Sequence, residues 1–161
     1  MNRFQEKLVS AIKLRESEKQ EEAGQPLLEL HSEFPNDPQV NYLYAWIHDL
    51  LGLEREAIPF YETAIQQGLR DDLKSALLGL GSTYRCIGEY QKSIATFQHA
   101  LTLFPNAHEF NVFLAMAYYN VHERAKAMEL LKSLVNTSRD EGVLRYQRAI
   151  RFYSDKLDQT W

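Results

Sequence analysis

The sequence predicts an all-α chain: a right-handed α-solenoid of four helix–turn–helix repeats with a C-terminal capping helix. Three observations predict it. Between Lys74 and Asn106, Leu77, Leu80, Gly81 and Tyr84 share one helical face, and Ser93, Phe97 and Ala100 share a second, with Gly88 between the two helices. The same arrangement recurs at about 34 residues on both sides, the mark of a unit that cannot bury its apolar face alone. Beyond the last repeat, Val143, Tyr146, Ile150, Tyr153 and Leu157 form one apolar stripe at helical spacing. Gly81 and Ala100 are small so that two antiparallel helices can approach, and Tyr84 and Phe97 fill the remaining space.

The recurrence can be followed residue by residue. A step of 34 forward takes Gly81, Tyr84, Ser93 and Phe97 to Ala115, Tyr118, Ala127 and Leu131. A step of 36 back takes Gly88 and Ala100 to Gly52 and Ala64, and the two extra residues fall in the polar connection Gly68–Asp72. A further 34 back gives Ala23, Leu27 and Leu30, closing on Pro35. The repeats span about 4–37, 38–73, 74–107 and 108–137, with the cap at about 139–157, and 1–161 is read as a single domain.

The elements follow in order. A helix over Arg3–Arg15 carries Leu8, Ala11, Ile12 and Leu14, and a glycine-free connection leads to a helix over Glu22–Glu33 whose start Pro26 distorts. Asp37 caps the next helix, Pro38 occupies its first turn, and Gly52 ends it. Its partner covers Glu54–Gln67, with Pro59 near the start. In the fourth repeat Asn106 and Glu109 suggest a capping box, and the helices run about Ala107–Val121 and Arg124–Asn136. Ser138 and Glu141 suggest another capping box, opening the last helix. The other face of that helix holds Arg145, Arg148 and Arg151. It either covers the last repeat or contacts acidic partners.

Composition narrows the function classes. A quarter of the residues are charged and 45% are hydrophobic, as in an ordinary folded domain. The net charge of −4 argues against a nucleic-acid partner. No apolar run reaches membrane-spanning length, and Arg3, Glu6 and Lys7 interrupt any signal-like core. The single cysteine, Cys86, excludes an intrachain disulfide and fits a reducing, cytoplasmic setting.

The pattern Leu77-x2-Leu80-Gly81-x2-Tyr84, then Ser93-x3-Phe97-x2-Ala100 and Pro105, resembles the tetratricopeptide repeat (TPR) over most of the chain. The segments Tyr44–Gly52, Tyr61–Leu69 and Leu80–Arg85 are similar to small stand-alone proteins of Gram-positive bacteria, usually grouped as "group 5" TPR proteins. The resemblance implies a cytoplasmic helical scaffold and no catalytic activity. It also implies a concave groove, lined by the first helix of each repeat, that binds peptides or helices.

The face turned toward that groove gives the candidate binding residues. They are Leu8, Ile12 and Arg15 in the first repeat, and Tyr42, Trp46, Asp49 and Leu50 in the second. The third supplies Leu78, Ser82 and Arg85, and the fourth Val112, Met116 and Tyr119. The superfamily's chaperone-tail adaptors grip a terminal carboxylate with Lys, Arg and Asn here. This chain has mostly aromatic and aliphatic residues in those places, so a carboxylate clamp is not expected. Tyr, Trp, Met and Arg are types that anchor partners, but the same side chains could pack between repeats, and Leu43 and Phe113 at the edge of the face suit packing better. Arg85 and Asp49 could form an internal ion pair.

Catalytic and metal motifs are missing from the sequence. His31, His48, His99, His108 and His122 include no pair at i, i+4, and there is no second cysteine, so no metal or other cofactor is expected. Gly79-Leu80-Gly81 falls within a helix rather than a phosphate loop, and Ser82 lacks a nucleophile elbow. The expectation is a non-enzymatic scaffold that binds an apolar or amphipathic protein segment, or a self-assembling module such as a homodimer.

Overall fold

The computed structural model describes residues 3–15, 17, 20–134, 139–154, 156 and 159–160. These form ten α-helices and one 3-10 turn, with no strand among the described residues. The chain makes two compact units, residues 1–79 and 80–161.

The first unit contains α1 (Arg3–Arg15), the 3-10 turn Gln20–Ala23, α2 (Gly24–Glu33), α3 (Pro38–Leu50) and α4 (Glu54–Gln66). The helix α5 (Leu73–Cys86) contributes residues to both units. Pro26 is the third residue of α2, so its missing N–H falls in the first turn, and the 3-10 turn provides the distorted start. The start of α3 is held by Asp37, whose Oδ1 accepts from the Val40 N–H at 2.9 Å, with Pro38 as first residue. Buried Asn41 ties down the preceding loop, since its Nδ2 donates to the carbonyls of Pro35 (2.7 Å) and Asp37 (2.9 Å). Ala11, Leu27, Leu30, Val40, Leu43, Ala45, Ala57 and Ala64 are solvent-inaccessible and make the core. Gly79 lets α5 approach α4, because a β-carbon there would lie 2.5 Å from the Tyr61 hydroxyl.

Pro59 departs from expectation. It is the sixth residue of α4, beyond the first turn, so the Arg55 carbonyl loses its helical donor. Arg55 is exposed, which lets water supply that donor, and the Thr63 hydroxyl donates to the Pro59 carbonyl at 2.7 Å.

The second unit continues with α6 (Tyr90–Leu103), α7 (His108–Asn120), α8 (Arg124–Leu134), α9 (Glu141–Arg145) and α10 (Gln147–Ser154). A β-carbon at Gly81 would lie 2.5 Å from the ring of fully buried Phe97, which sets the close approach of α5 and α6. Phe97 also meets Phe110 and Phe113 of α7, with ring centroids 6.2 and 6.1 Å away. Gly88 takes φ 85° after α5, and the Glu89 N–H reaches back to the Tyr84 carbonyl at 2.8 Å. His122, 34 residues on, takes φ 63° and the Glu123 N–H reaches the Tyr118 carbonyl at 3.0 Å. The turn geometry therefore repeats even where glycine does not.

Two expected helix starts are corrected. No capping box opens α7: Ala107 is the N-cap and has no hydrogen-bonding side chain, and Glu109 is buried against Gly142. The last helix is capped by Asp140, whose Oδ1 accepts from the Val143 N–H at 3.0 Å. That helix is not continuous. It breaks at Tyr146 into α9 and α10, and Tyr146 and Tyr153 both meet the ring of Phe113, at 6.4 and 6.3 Å. Ser138, Leu157 and the expected end of the α8 helix at Asn136 lie outside the described residues.

Candidate binding face

In the first unit most of the candidate residues are engaged in packing. The Arg15 Nη1 lies 3.4 Å from Asp72 Oδ2, and its guanidinium stands 5.5 Å from the centre of the Tyr42 ring. Gln39 donates to the same carboxylate oxygen at 2.6 Å. Asp49 accepts from the Tyr61 hydroxyl at 2.7 Å. Tyr42 and Leu78 are buried, Leu8, Ile12 and Trp46 are half-buried, and Leu50 is 41% exposed. The unit also holds a ring cluster that periodicity did not reveal. His31 stacks on Tyr44 at 4.5 Å and 11°, and Phe60 stands edge-on to both, at 5.1 and 4.8 Å. Burial pushes the His31 pKa below the ordinary 6.5, nearby His48 adds to that, and a hydrogen bond with Asn41 opposes it.

In the second unit Arg85 is fully buried. Its Nη1 donates to Asn120 Oδ1 at 3.4 Å, and its guanidinium lies 4.9 Å from the centre of the Tyr153 ring. This arginine is held as part of the interior, with α10 laid over it. Ser82 is half-buried.

The remaining three candidates come together. Val112, Met116 and Tyr119 on α7, with Ala115, face Arg124, Ala127, Met128 and Leu131 on α8 across a cleft of about 380 Å³, and Ile150 of α10 forms its other wall. Each helix presents residues at i, i+3, i+4 and i+7, so each offers one continuous stripe. Met116 is 7% exposed and lies at the floor, whereas Tyr119 (36%), Leu131 (42%) and Met128 (54%) stand at the rim. The turn after α7 sets Tyr119 and Arg124 at one end of the cleft and Val112 and Leu131 at the other.

The repeat explains the opening. Leu131 stands 34 residues after Phe97, and Phe97 is sealed by two rings of the following helix. The residues 34 beyond those rings are Leu144, which is 51% exposed, and Gln147. The broken cap therefore does not rebuild the seal at these positions, and of its described residues Ile150 is the one that lines the cleft. Sequence reasoning found the α7 side but assigned Ala127 and Leu131 to packing and passed over Met128. Counting 34 from Phe110 and Phe113 would have exposed the gap.

Among the described residues no group of three or more His, Cys, Asp or Glu side chains could hold a metal, and no helix is long and apolar enough to cross a membrane.

This architecture defines the class first: an all-α fold built from repeated helix–turn–helix pairs. A family model described as "Tetratrico peptide repeat" matches residues 38–157, and the chain belongs to that family. Among solved structures, "Crystal structure of MamA protein" is similar with TM-score 0.74 at 17% identity, over 89% of this chain and 76% of that one. A double mutant of MamA from RS-1 gives 0.74 at 17% identity, over 98% and 86%. MamA from AMB-1 gives 0.70 at 16% identity, over 88% and 76%. These likenesses show a fold shared with a TPR-type α-solenoid. No curated protein matches the chain.

Proposed function

We propose that this chain is a non-catalytic protein-interaction scaffold that takes an apolar or amphipathic segment of a partner into the cleft of its second unit. The observation that carries the reading is the meeting of two apolar stripes, on α7 and α8, at an opening of about 380 Å³. That is room for one or two large side chains, and Tyr, Met and Arg around it are residue types that dominate binding energy. Family membership supports a protein as the partner, because repeats of this kind present extended binding surfaces. The cytoplasmic, bacterial setting is part of the same proposal and rests on the sequence resemblance.

A displayed library of random peptides of about 15 residues, four helical turns, tests this. Peptides selected on the full chain should lose at least about tenfold in affinity for Met128→Gln/Leu131→Gln. Both positions are exposed, so the variant keeps its fold. Binders indifferent to that variant would place recognition elsewhere and refute the cleft reading.

Self-assembly is the second reading, and the charge distribution favours it. Residues 1–79 carry eight Lys and Arg against fourteen Asp and Glu, whereas residues 80–161 carry ten against eight. Opposite signs on two units of one chain suit symmetric pairing of two copies, each unit against the oppositely charged unit of the other copy. Light scattering across a dilution series decides it: a dimer that persists at low concentration supports assembly, and a monomer throughout rules it out.

A further inference from the structure

We infer that the segment taken by this cleft is an acidic amphipathic helix with an aromatic anchor, its carboxylate lying beside Arg124 and its ring seated between Met116, Met128 and Leu131. The inference rests on the scaffold reading and adds the chemistry of the partner.

The anchor follows from the repeat. In the preceding pair the space beside Phe97 is filled by Phe110 and Phe113. Among the described residues that line the cleft the one ring is that of Tyr119, at the end away from Leu131, and both tyrosines of the cap meet Phe113 instead. An incoming aromatic side chain would restore the contact that the solenoid pattern makes one repeat earlier. A flexible methionine at the floor and another at the rim adapt to its shape.

The charge follows from Arg124. It is the first residue of α8 and lines the cleft, and among the described residues no carboxylate lines the cleft with it. Among the described residues no acidic side chain pairs with it, although Lys126 in the same turn pairs with Glu123 at 3.5 Å. A cation at the positive end of a helix is unfavourably placed for the isolated fold, and it becomes favourable when an anion docks there. The excess of basic over acidic residues in 80–161 acts in the same direction at longer range. The cleft therefore has a cationic end at Tyr119 and Arg124 and an apolar end at Leu131, which orders the partner's acidic residue and ring along its helix.

The selected peptides test the inference on the full chain. Those sensitive to Met128→Gln/Leu131→Gln should carry an aromatic residue and at least one Asp or Glu. Their affinity should fall at least tenfold for Arg124→Glu, stay within about threefold for Arg124→Lys, and weaken with added salt. Replacing the peptide carboxylates by amides should reproduce the loss on the wild-type chain. Cleft-dependent peptides that are neutral or basic, or that ignore Arg124→Glu, overturn the inference while leaving the scaffold reading in place. If no peptide responds to Met128→Gln/Leu131→Gln, the scaffold reading fails and takes the inference with it. A dimer that the same double variant dissociates also overturns it, by making a second copy the occupant.

Discussion

At Gly81 a β-carbon would lie within 2.5 Å of the Phe97 ring, and Phe97 has no exposed surface through which to retreat. Gly81→Ala should therefore destabilise the chain by about 1–3 kcal/mol, as overpacking does. A denaturant melt that moves by less than roughly 0.5 kcal/mol would contradict the close approach. This contact was legible in the sequence, because a small residue and an aromatic one recur at fixed spacing. The ring cluster around His31 was not, because its members lie on three helices with no period relating them. Its consequence concerns pH. The folded-state pKa of His31 is lowered, so its contribution to stability is complete above 6.5 and is lost as the pH falls below that value toward the folded pKa. Urea midpoints should fall on acidification, and less so in His31→Gln. Equal losses in both proteins would remove His31 as the cause.

Helix positions were largely readable from periodicity, Asp37 and the positive-φ glycines, whereas the start of α7 was misread. The Asn106–Glu109 spacing fits a capping box, yet Glu109 is drawn into the interior beside Gly142, on a helix more than thirty residues away in sequence. Spacing cannot report such a long-range contact. The same holds for the break at Tyr146, beside which Tyr146 and Tyr153 both meet Phe113 of α7. Tyr153 joins that ring to buried Arg85. Tyr153→Ala should cost about 1–3 kcal/mol, from its aromatic contacts and one desolvated cation–π contact. An unchanged melting temperature would show that α10 does not cover the unit. On the cleft itself, Met116→Ala should lose roughly 2–5 kcal/mol, while Met128→Ala, at the rim, should stay within about 0.5 kcal/mol. Equal losses at the two positions would erase the distinction between floor and rim.

For the molecule as a whole, the repeat revealed the fold class while leaving the binding surface open. A groove-facing residue and a self-packed one have the same helical position, and what separates them is whether something covers the side chain. Arg85 and Met116 illustrate this: both were candidates on one face, and α10 lies over the first and leaves the second at the floor of a cleft. The proposed binding of partners in this cleft has a direct reporter in the chain. Of its three methionines, Met116 and Met128 line the cleft. Methyl-labelled methionine spectra should be recorded while a selected peptide is added to the full chain. The Met116 and Met128 methyl signals should shift together and saturate with the peptide's own affinity. A peptide that binds tightly while both cleft methyls remain unshifted would contradict the account.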